Sequence, residues 1–148
     1  MWERREIRQV RTGEMSMNDR YLYRAKRKNW RELPKEMWWV EGYLYGIWER
    51  RYILWGMTND VPDMIEVDPS TICQCTGLKD KNGKFIWEND ITLRTSVTGT
   101  HKGKIIYSSD GSFCQKDFET TFENLLIHSD SYFEVIGNIF DNPELMNE

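Results

Sequence analysis

Aromatic and β-branched residues alternate with polar ones in short runs through the first half of the chain. This period of two and this composition are typical of half-buried strands. The pattern predicts four strands, at Tyr21–Lys26, Trp38–Trp48, Arg51–Met57 and Met64–Asp68. Pro34 should keep the polar segment 28–36 out of a ladder, because proline has no backbone N–H to donate.

Turn residues separate these strands. Glu49-Arg50 lies between two aromatic runs, which we interpret as the arms of a hairpin. Gly42 and Gly46 share one face of the longer arm, and this spacing indicates a bulge or a close approach of the neighbouring backbone. Proline, aspartate and serine predict further turns at 59–63 and 68–71.

A polar turn followed by an apolar run, from Thr76 to Ile91, divides the chain. Asn82-Gly83 is its strongest turn signal, because both residues tolerate positive φ. Beyond it we predict a strand at 90–95, a loop at 96–101 and a hairpin of 104–108 with 112–115 around Asp110-Gly111. Apolar residues at helical spacing predict a short helix from Asp117 to His128, before a last strand at Tyr132–Phe140.

The composition restricts the class of protein. The chain has 148 residues, enough for one domain or two small ones, and it carries 7 Trp, 7 Tyr and 6 Phe for a core. Its net charge of −4 does not favour duplex DNA. No apolar run has the length of a membrane span or of a signal peptide, so we expect a cytoplasmic protein without membrane contact.

Three cysteines, Cys73, Cys75 and Cys114, are expected to be thiols, because an odd number in a chain of this size does not suggest a disulfide framework. Cys73 and Cys75 would share a face of a strand, and with Cys114 and His101 or His128 they would make four zinc ligands. Zinc ligand pairs are usually two to four residues apart, however, and no second pair exists. We therefore expect neither a metal nor another cofactor.

No catalytic arrangement is recognised. Neither His101 nor His128 lies near a glycine-flanked serine or a reactive-looking cysteine, and Gly99 and Gly103 do not form a phosphate-binding loop. We do not expect an enzyme, although a hydrolase with an unrecognised site is a third, weaker hypothesis.

Cations and aromatic rings cluster in the first half of the chain. A single strand of nucleic acid or a nucleotide would need such a combination, through stacking worth about 1–3 kcal/mol per base. Charged edge strands alternating with a packed aromatic core produce the same pattern. The candidate binding residues are Arg24, Lys26, Arg27, Trp30, Tyr43 and Tyr45, with Arg50 and Arg51 at the hairpin tip.

Several stretches carry a resemblance to a known family: Trp39-Val40-Glu41-Gly42-Tyr43-Leu44, 65–72, 76–91, and 133–139 with the Asn142-Pro143-Glu144-Leu145 tail. On these residues the chain resembles the YopX-like proteins of bacteriophages and prophages, a family with no established biochemical activity. The residues that we interpret as its structural signature are Thr76, Gly77, Leu78, Asp80, Asn82, Gly83, Asp90, Gly137 and Asn138.

The resemblance covers the chain from Met17 onward. The charge-rich extension at 1–16 is either a short, partly helical or disordered arm or a segment upstream of a natural start at Met17, since the residues from Met17 resemble the way many family members begin. We expect an N-terminal β region at 17–75 and a C-terminal domain at 76–148, which the resemblance implies is similar to a Src-homology-3-like barrel. Asn89 replaces the glycine usual in the family, and we expect the neighbouring Asp90 to accept backbone N–H groups at the turn rather than to act on a substrate.

The predicted protein is therefore mostly β, with one short helix, and acts by binding. The first hypothesis is an accessory phage protein that binds a host or phage macromolecule, with a protein partner favoured by the acidic charge balance. The second is a binder of single-stranded nucleic acid or a nucleotide through the basic and aromatic residues. Exposed aromatic strands would also favour a homo-oligomer of unspecified order.

Overall fold

The computed structural model describes residues 21–147 and shows a mostly β protein with two antiparallel sheets and one short helix. The predicted extension at 1–16 and the predicted start at Met17 lie outside the described residues. The chain divides into two compact units between Cys75 and Thr76. Within residues 21–147, no helix combines the length and the apolar character that a membrane span needs.

The first unit is built on four strands and the beginning of a fifth. They are β1 (Leu22–Lys26), β2 (Trp39–Ile47), β3 (Arg50–Thr58), β4 (Val61–Val67) and β5 (Cys73–Lys79). With β6 (Phe85–Trp87) they form a six-stranded sheet in the order β4-β3-β2-β1-β5-β6. Single 3-10 turns occupy the connections at Trp30–Glu32, Lys35–Met37 and Pro69–Thr71.

The second unit contains the other sheet, an open half-barrel. Its strands are β7 (Asp90–Ser96), β8 (Gly99–Tyr107), β9 (Phe113–Asp117), β10 (Glu123–Leu125) and β11 (Phe133–Asn138), in the order β10-β9-β8-β7-β11. The helix α1 (Ser129–Tyr132) precedes β11, and a 3-10 turn at Pro143–Asn147 follows it. Because β10 and β11 are the two edges of this sheet, the described strands do not close into a full barrel.

Each unit contains a small buried apolar cluster. In the first unit the cluster contains Ala25, Val40, Ile53 and Val67. In the second it contains Ile86, Ile105, Leu126 and Phe133. Burial of such side chains is the main favourable term in folding, at about 25 cal/mol per Å² of apolar surface.

The backbone of β3 approaches β2 closely at Gly42, as the spacing of the glycines predicts. A Cβ atom at this position would lie 2.2 Å from the backbone oxygen of Leu54 on β3. The β3–β4 register shifts between Leu54 and Gly56, so the irregularity is on the next strand pair. Gly46 is less confined, because its nearest neighbours are atoms of the Arg51 side chain at 3.1–3.3 Å.

The helix predicted from Asp117 to His128 is wrong. The segment instead contains a tight turn and the strand β10, which pairs with β9. The Asp117 side chain accepts the N–H groups of Glu119 and Thr120 at 2.8 and 3.1 Å, and Thr121 adopts a left-handed backbone with φ 63°. Phe122 and Ile127 are exposed, so their helical spacing does not mark a buried face.

Two loop boundaries also differ from prediction. The loop expected at 96–101 shrinks to the two residues Val97 and Thr98, because Ser96 already pairs with Gly99. The turn expected at 59–63 is likewise only Asn59-Asp60. Pro62 lies inside β4, which is tolerated because β4 is an edge strand.

The Asp80 carboxylate organises the turn between β5 and β6. Its Oδ1 accepts the N–H groups of Asn82 and Lys84, both at 2.9 Å, and its Oδ2 accepts that of Val135 on β11, also at 2.9 Å. Gly83 has φ +79° and contributes its N–H to the Asp80 carbonyl at 3.0 Å. One buried carboxylate thus fixes the turn and joins it to an edge strand of the half-barrel.

The other signature residues also act through the backbone. Thr76 donates to the Ile86 carbonyl at 2.7 Å and accepts the Leu78 N–H at 3.1 Å, beside Gly77 with φ 78°. Asp90 accepts the Trp87 N–H at 2.8 Å, next to Asn89 with φ 69°. After β11, Asn138 accepts the N–H groups of Phe140 and Asp141, and a Cβ on Gly137 would lie 2.5 Å from the Asn142 side chain.

Candidate binding surfaces

The strand register places several predicted binding residues on one face of the first sheet. Arg24 and Lys26 pair with Glu41 and Trp39, so they point to the same side as Tyr43 and Tyr45 further along β2. Arg27, the next residue after Lys26, leaves the strand and bridges to Val67 instead. The structure therefore brings four of the six candidates to one face, and their exposure decides whether they are accessible.

Lys26 is buried among tryptophans. It is only 1% exposed, and its ammonium lies 3.9 Å from the ring centroid of Trp30, 4.2 Å from that of Trp38 and 5.5 Å from that of Trp39. Attraction between a cation and an aromatic face stabilises this arrangement, and more so when the cation is desolvated. Lys26 is consequently a core residue rather than a ligand-contacting cation.

The other basic side chains of this region also have partners within the first unit. Arg27 donates to the Met37 carbonyl, and Lys28 pairs with Glu66 at 3.0 Å. The Arg24 guanidinium lies 4.8 Å from the Trp39 ring centroid. The predicted cations therefore do not form one exposed positive face.

Trp30 is fixed by contacts on several sides. Its Nε1 donates to Asp68 Oδ2 at 3.2 Å, its ring meets that of Trp38 edge to face at 5.0 Å, and Arg31 stacks on it at 4.3 Å. Burial alone would raise the pKa of Asp68, but hydrogen bonds from Ser70 and Trp30 outweigh it and hold that pKa below its ordinary value. This ring therefore contributes to the structure of the unit.

Exposed apolar side chains collect instead around the end of the β2–β3 hairpin. Tyr45 is 46% exposed and lies opposite Tyr52, with ring centroids 6.4 Å apart. Trp48 in the turn is 89% exposed and has φ 53°, a strained backbone for a bulky residue. We call the exposed or half-exposed residues here the hairpin patch: Tyr45, Ile47, Trp48, Arg50 and Tyr52.

The half-barrel of the second unit has a polar network on its inner face. The buried Gln115 amide donates to the Thr92 carbonyl at 3.1 Å and to the Thr92 hydroxyl at 3.0 Å, and its oxygen accepts the Arg94 Nε–H at 3.2 Å. The same amide approaches the His101 carbonyl at 3.3 Å. Gln115 thereby connects three adjacent strands, a role that sequence could not reveal without the register.

A cleft of about 440 Å³ opens beside this network. The size lies within the range of about 300–1,000 Å³ that is usual for ligand pockets. Strands β7, β10 and β11 and helix α1 supply its walls. Its lining residues are Arg94, Thr95, Glu123, Asn124, Leu125, Ile127, His128, Tyr132 and Phe133.

His101 lies between a threonine and an aspartate. Its Nε2 is 2.6 Å from the Thr98 hydroxyl, and its Nδ1 is 3.5 Å from the Asp117 carboxylate. Burial would raise the pKa of Asp117, but the N–H groups of Thr120 and Glu119, with nearby His101 and Arg94, leave that pKa below its ordinary value. The order of the three groups is that of a hydrolase triad, but 3.5 Å is long for a hydrogen bond.

The cysteines are buried and form no disulfide. Burial, followed by the Glu123 carboxylate, raises the pKa of the Cys114 thiol to about 11, so little reactive thiolate is present at neutral pH. Among residues 21–147, no three side chains of the histidine, cysteine and acidic types are close enough to hold a metal ion.

Comparison with known proteins gives a family for the chain. The family model described as YopX protein matches residues 22–147. A crystal structure of protein EF1440 from Enterococcus faecalis is similar at 22% identity and a TM-score of 0.47, over 84% of this chain and 96% of that one. No curated protein sequence matches. Because the family model spans nearly all the residues described, the chain belongs to the YopX protein family.

Proposed function

We propose that this chain is a non-catalytic binding module whose partner is another protein, and that it serves a phage or prophage in the host cytoplasm. The observation that carries the proposal is Trp48, a tryptophan 89% exposed at a hairpin tip. Large exposed apolar residues of this kind are more informative than polar ones, because folding alone does not account for them.

The composition of the hairpin patch is that of a protein interface. Tryptophan, tyrosine and arginine are enriched at interfaces, and they are also enriched among residues whose truncation costs about 2 kcal/mol or more of binding energy. The short two-residue turn holds Trp48 without a long flexible loop, which limits the entropy lost on binding. The partner would present an apolar pocket for Trp48, with a carboxylate at its rim for Arg50.

Single-stranded nucleic acid is a weaker candidate. Stacking on Tyr45 or Trp48 would be available to bases, but a strand also needs cations along its backbone. Lys26 is buried, and Arg24, Arg27 and Lys28 are engaged within the first unit. A hydrolase is weaker still, and only the series Thr98, His101 and Asp117 supports it.

We also propose that the second sheet is a divergent Src-homology-3-like barrel. Its five antiparallel strands and short connections support this relationship. The sheet differs from a closed barrel in that β10 and β11 do not pair with each other. Barrels of that kind are usually binding scaffolds, although fold alone does not assign function.

The proposed function is tested by crosslinking at the hairpin tip. The photoreactive residue benzoylphenylalanine replaces Trp48 in one version of the protein and Tyr107, an exposed tyrosine of the second unit, in a matched control. Both are expressed in infected host cells and irradiated. We expect one host or phage protein to crosslink at position 48 and not at position 107.

The captured protein is then purified and titrated with the unmodified chain. Trp48→Ala should weaken its affinity by at least about tenfold, while Tyr107→Ala leaves it unchanged. Equal crosslinking at both positions, or binding that Trp48→Ala does not alter, would contradict the proposal. A crosslink to a second copy of this chain would show a homo-oligomer instead, and one to nucleic acid would support the second hypothesis.

A further inference from the structure

The cleft of the second unit has the features of a second binding site, separate in chemistry from the hairpin patch. One wall is apolar, formed by Leu125, by Ile127, which is 63% exposed, and by Tyr132, which is 49% exposed. Buried Phe133 adds to the lining at the start of β11. The strand register places Leu125 on the sheet face opposite Arg94 and Gln115, so Leu125 and Arg94 border the cleft from different faces.

Arg94 gives this cleft a charge that is available to a ligand. Its side chain lines the cleft and uses Nε to donate to Gln115 at 3.2 Å. Of the hydrogen bonds in residues 21–147, this is the one that the Arg94 side chain makes. The two terminal amino groups of the guanidinium remain to bind a carboxylate, for which their planar fork is suited.

The acidic residues near Arg94 already have other partners. Asp117 accepts two backbone N–H groups and faces His101, and its charge attracts the guanidinium without a hydrogen bond to it. Glu123, on the cleft wall, accepts the Ser108 hydroxyl at 2.8 Å and lies 3.8 Å from the Cys114 sulfur. Among the lining residues Arg94 is the one permanent cation, so a ligand carboxylate would bind beside Arg94 and away from the Glu123 carboxylate.

The backbone around the cleft is arranged for an extended ligand. Strand β10 is an edge of its sheet, so one of its sides is open to pairing with a further strand. His128 has a left-handed backbone with φ 51°, and its ring meets that of Tyr132 edge to face at 6.2 Å. Such strained positions occur preferentially at ligand-binding sites.

We propose that this cleft binds a peptide segment of a partner protein in which a carboxylate side chain is next to an apolar one. The peptide backbone pairs with β10, so its neighbouring side chains point to opposite faces of the sheet. The apolar side chain packs with Leu125, Ile127 and Tyr132, and the carboxylate next to it turns to the face of Arg94. The cleft shares no residue with the hairpin patch, so this proposal can be correct or wrong independently of the proposed function.

The test is a titration of the ¹⁵N-labelled full chain, followed by amide chemical shifts. The probes are the peptides acetyl-Gly-Phe-Asp-Gly-amide and acetyl-Gly-Phe-Asn-Gly-amide, which differ only in the carboxylate, and free N-acetylphenylalanine. We expect the aspartate peptide to shift the amides of Arg94, Leu125 and Ile127, and to bind at least about tenfold more tightly than the asparagine peptide. The free amino acid should bind more weakly, since it cannot pair along β10.

Two variants assign the effect to the cleft. Arg94→Gln should weaken the aspartate peptide by at least about tenfold and leave the asparagine peptide unaffected, while Lys84→Gln, which removes an exposed cation outside the lining, changes neither. If Arg94→Gln does not fold, Ile127→Asp replaces it as the test variant. Ile127 is exposed, so the change should be tolerated, and the introduced aspartate would repel the carboxylate of the peptide. Equal binding of the two peptides, shifts outside the cleft, or no loss in either variant would overturn the proposal.

Discussion

Two aspartates of the second unit lie in turns but in different surroundings. Asp80 is three residues before Gly83 and Asp110 is immediately before Gly111, and both glycines have positive φ. Asp80 is buried and accepts three backbone N–H groups. Asp110 is exposed, and its side chain is bonded by the N–H and hydroxyl of Ser112 at 3.2 and 2.7 Å.

The structure predicts that Asp80 is far more important for stability than Asp110. Asp80→Ala leaves three N–H groups without their acceptor, which should lower the free energy of unfolding by about 3 kcal/mol or more. Asp110→Ala exposes its partners to water, so it should cost much less. Urea unfolding followed by circular dichroism measures both, and equal losses would show that the Asp80 contacts are not specially stabilising.

Single residues show where sequence reasoning stops. A turn role for Asp90 follows from local sequence, since its partner Trp87 is three residues away. The environment of Lys26 does not, because Trp30, Trp38 and Trp39 surround it only after the chain has folded back through two 3-10 turns. The sequence suggested that Lys26 is an exposed cation, but the side chain is buried in the structure.

At the level of elements, strands were predicted better than the segment between Asp117 and His128. Alternation of apolar and polar residues identifies β2 and β3, which each have one buried face, and the aromatic composition identifies β1, which is buried on both. In 117–128 the apolar spacing has another origin, since Leu126 packs in the core while Phe122 and Ile127 face solvent. The turn is imposed by the Asp117 carboxylate, and periodicity does not detect such a contact.

The two glycines of β2 should respond differently to alanine. In Gly42→Ala the new Cβ would lie 2.2 Å from the Leu54 oxygen, so β3 must move, and we expect a loss of about 1–3 kcal/mol in the free energy of unfolding. In Gly46→Ala the flexible Arg51 side chain can move aside, so stability should stay within about 1 kcal/mol of the original.

Thermal and urea unfolding of the two β2 variants provide the measurement, with each serving as the control for the other. An equal effect at both positions would mean that the β2–β3 contact tolerates the extra methyl group.

For the whole molecule, the carboxylates predict how stability depends on pH. The pKa values of Asp68, Asp110 and Asp117 are all lower than in an unfolded chain, where the value is about 3.9. A carboxylate with a lowered pKa stabilises the fold above its unfolded pKa, and this contribution is lost as the pH falls through the folded value. Acid should therefore destabilise the protein.

We expect the melting temperature to vary little with pH near neutrality on account of these groups, and to fall below about pH 4. Asp117→Asn should show a smaller fall over the same range, because it lacks one of the three groups. Circular dichroism melts from about pH 7 to about pH 3 make the comparison. A melting temperature that does not fall in acid, or an equal fall in the variant, would contradict the assignment.

Strand β5 is shared by the two compact units. It begins at Cys73, where it pairs with β1, and ends at Lys79, past the boundary at Cys75–Thr76. Recombination that joined either unit to a foreign sequence at this boundary would split one continuous strand into two short pieces. The two units should therefore be inherited together, and gene fusions or deletions that survive selection should have their junctions outside 73–79.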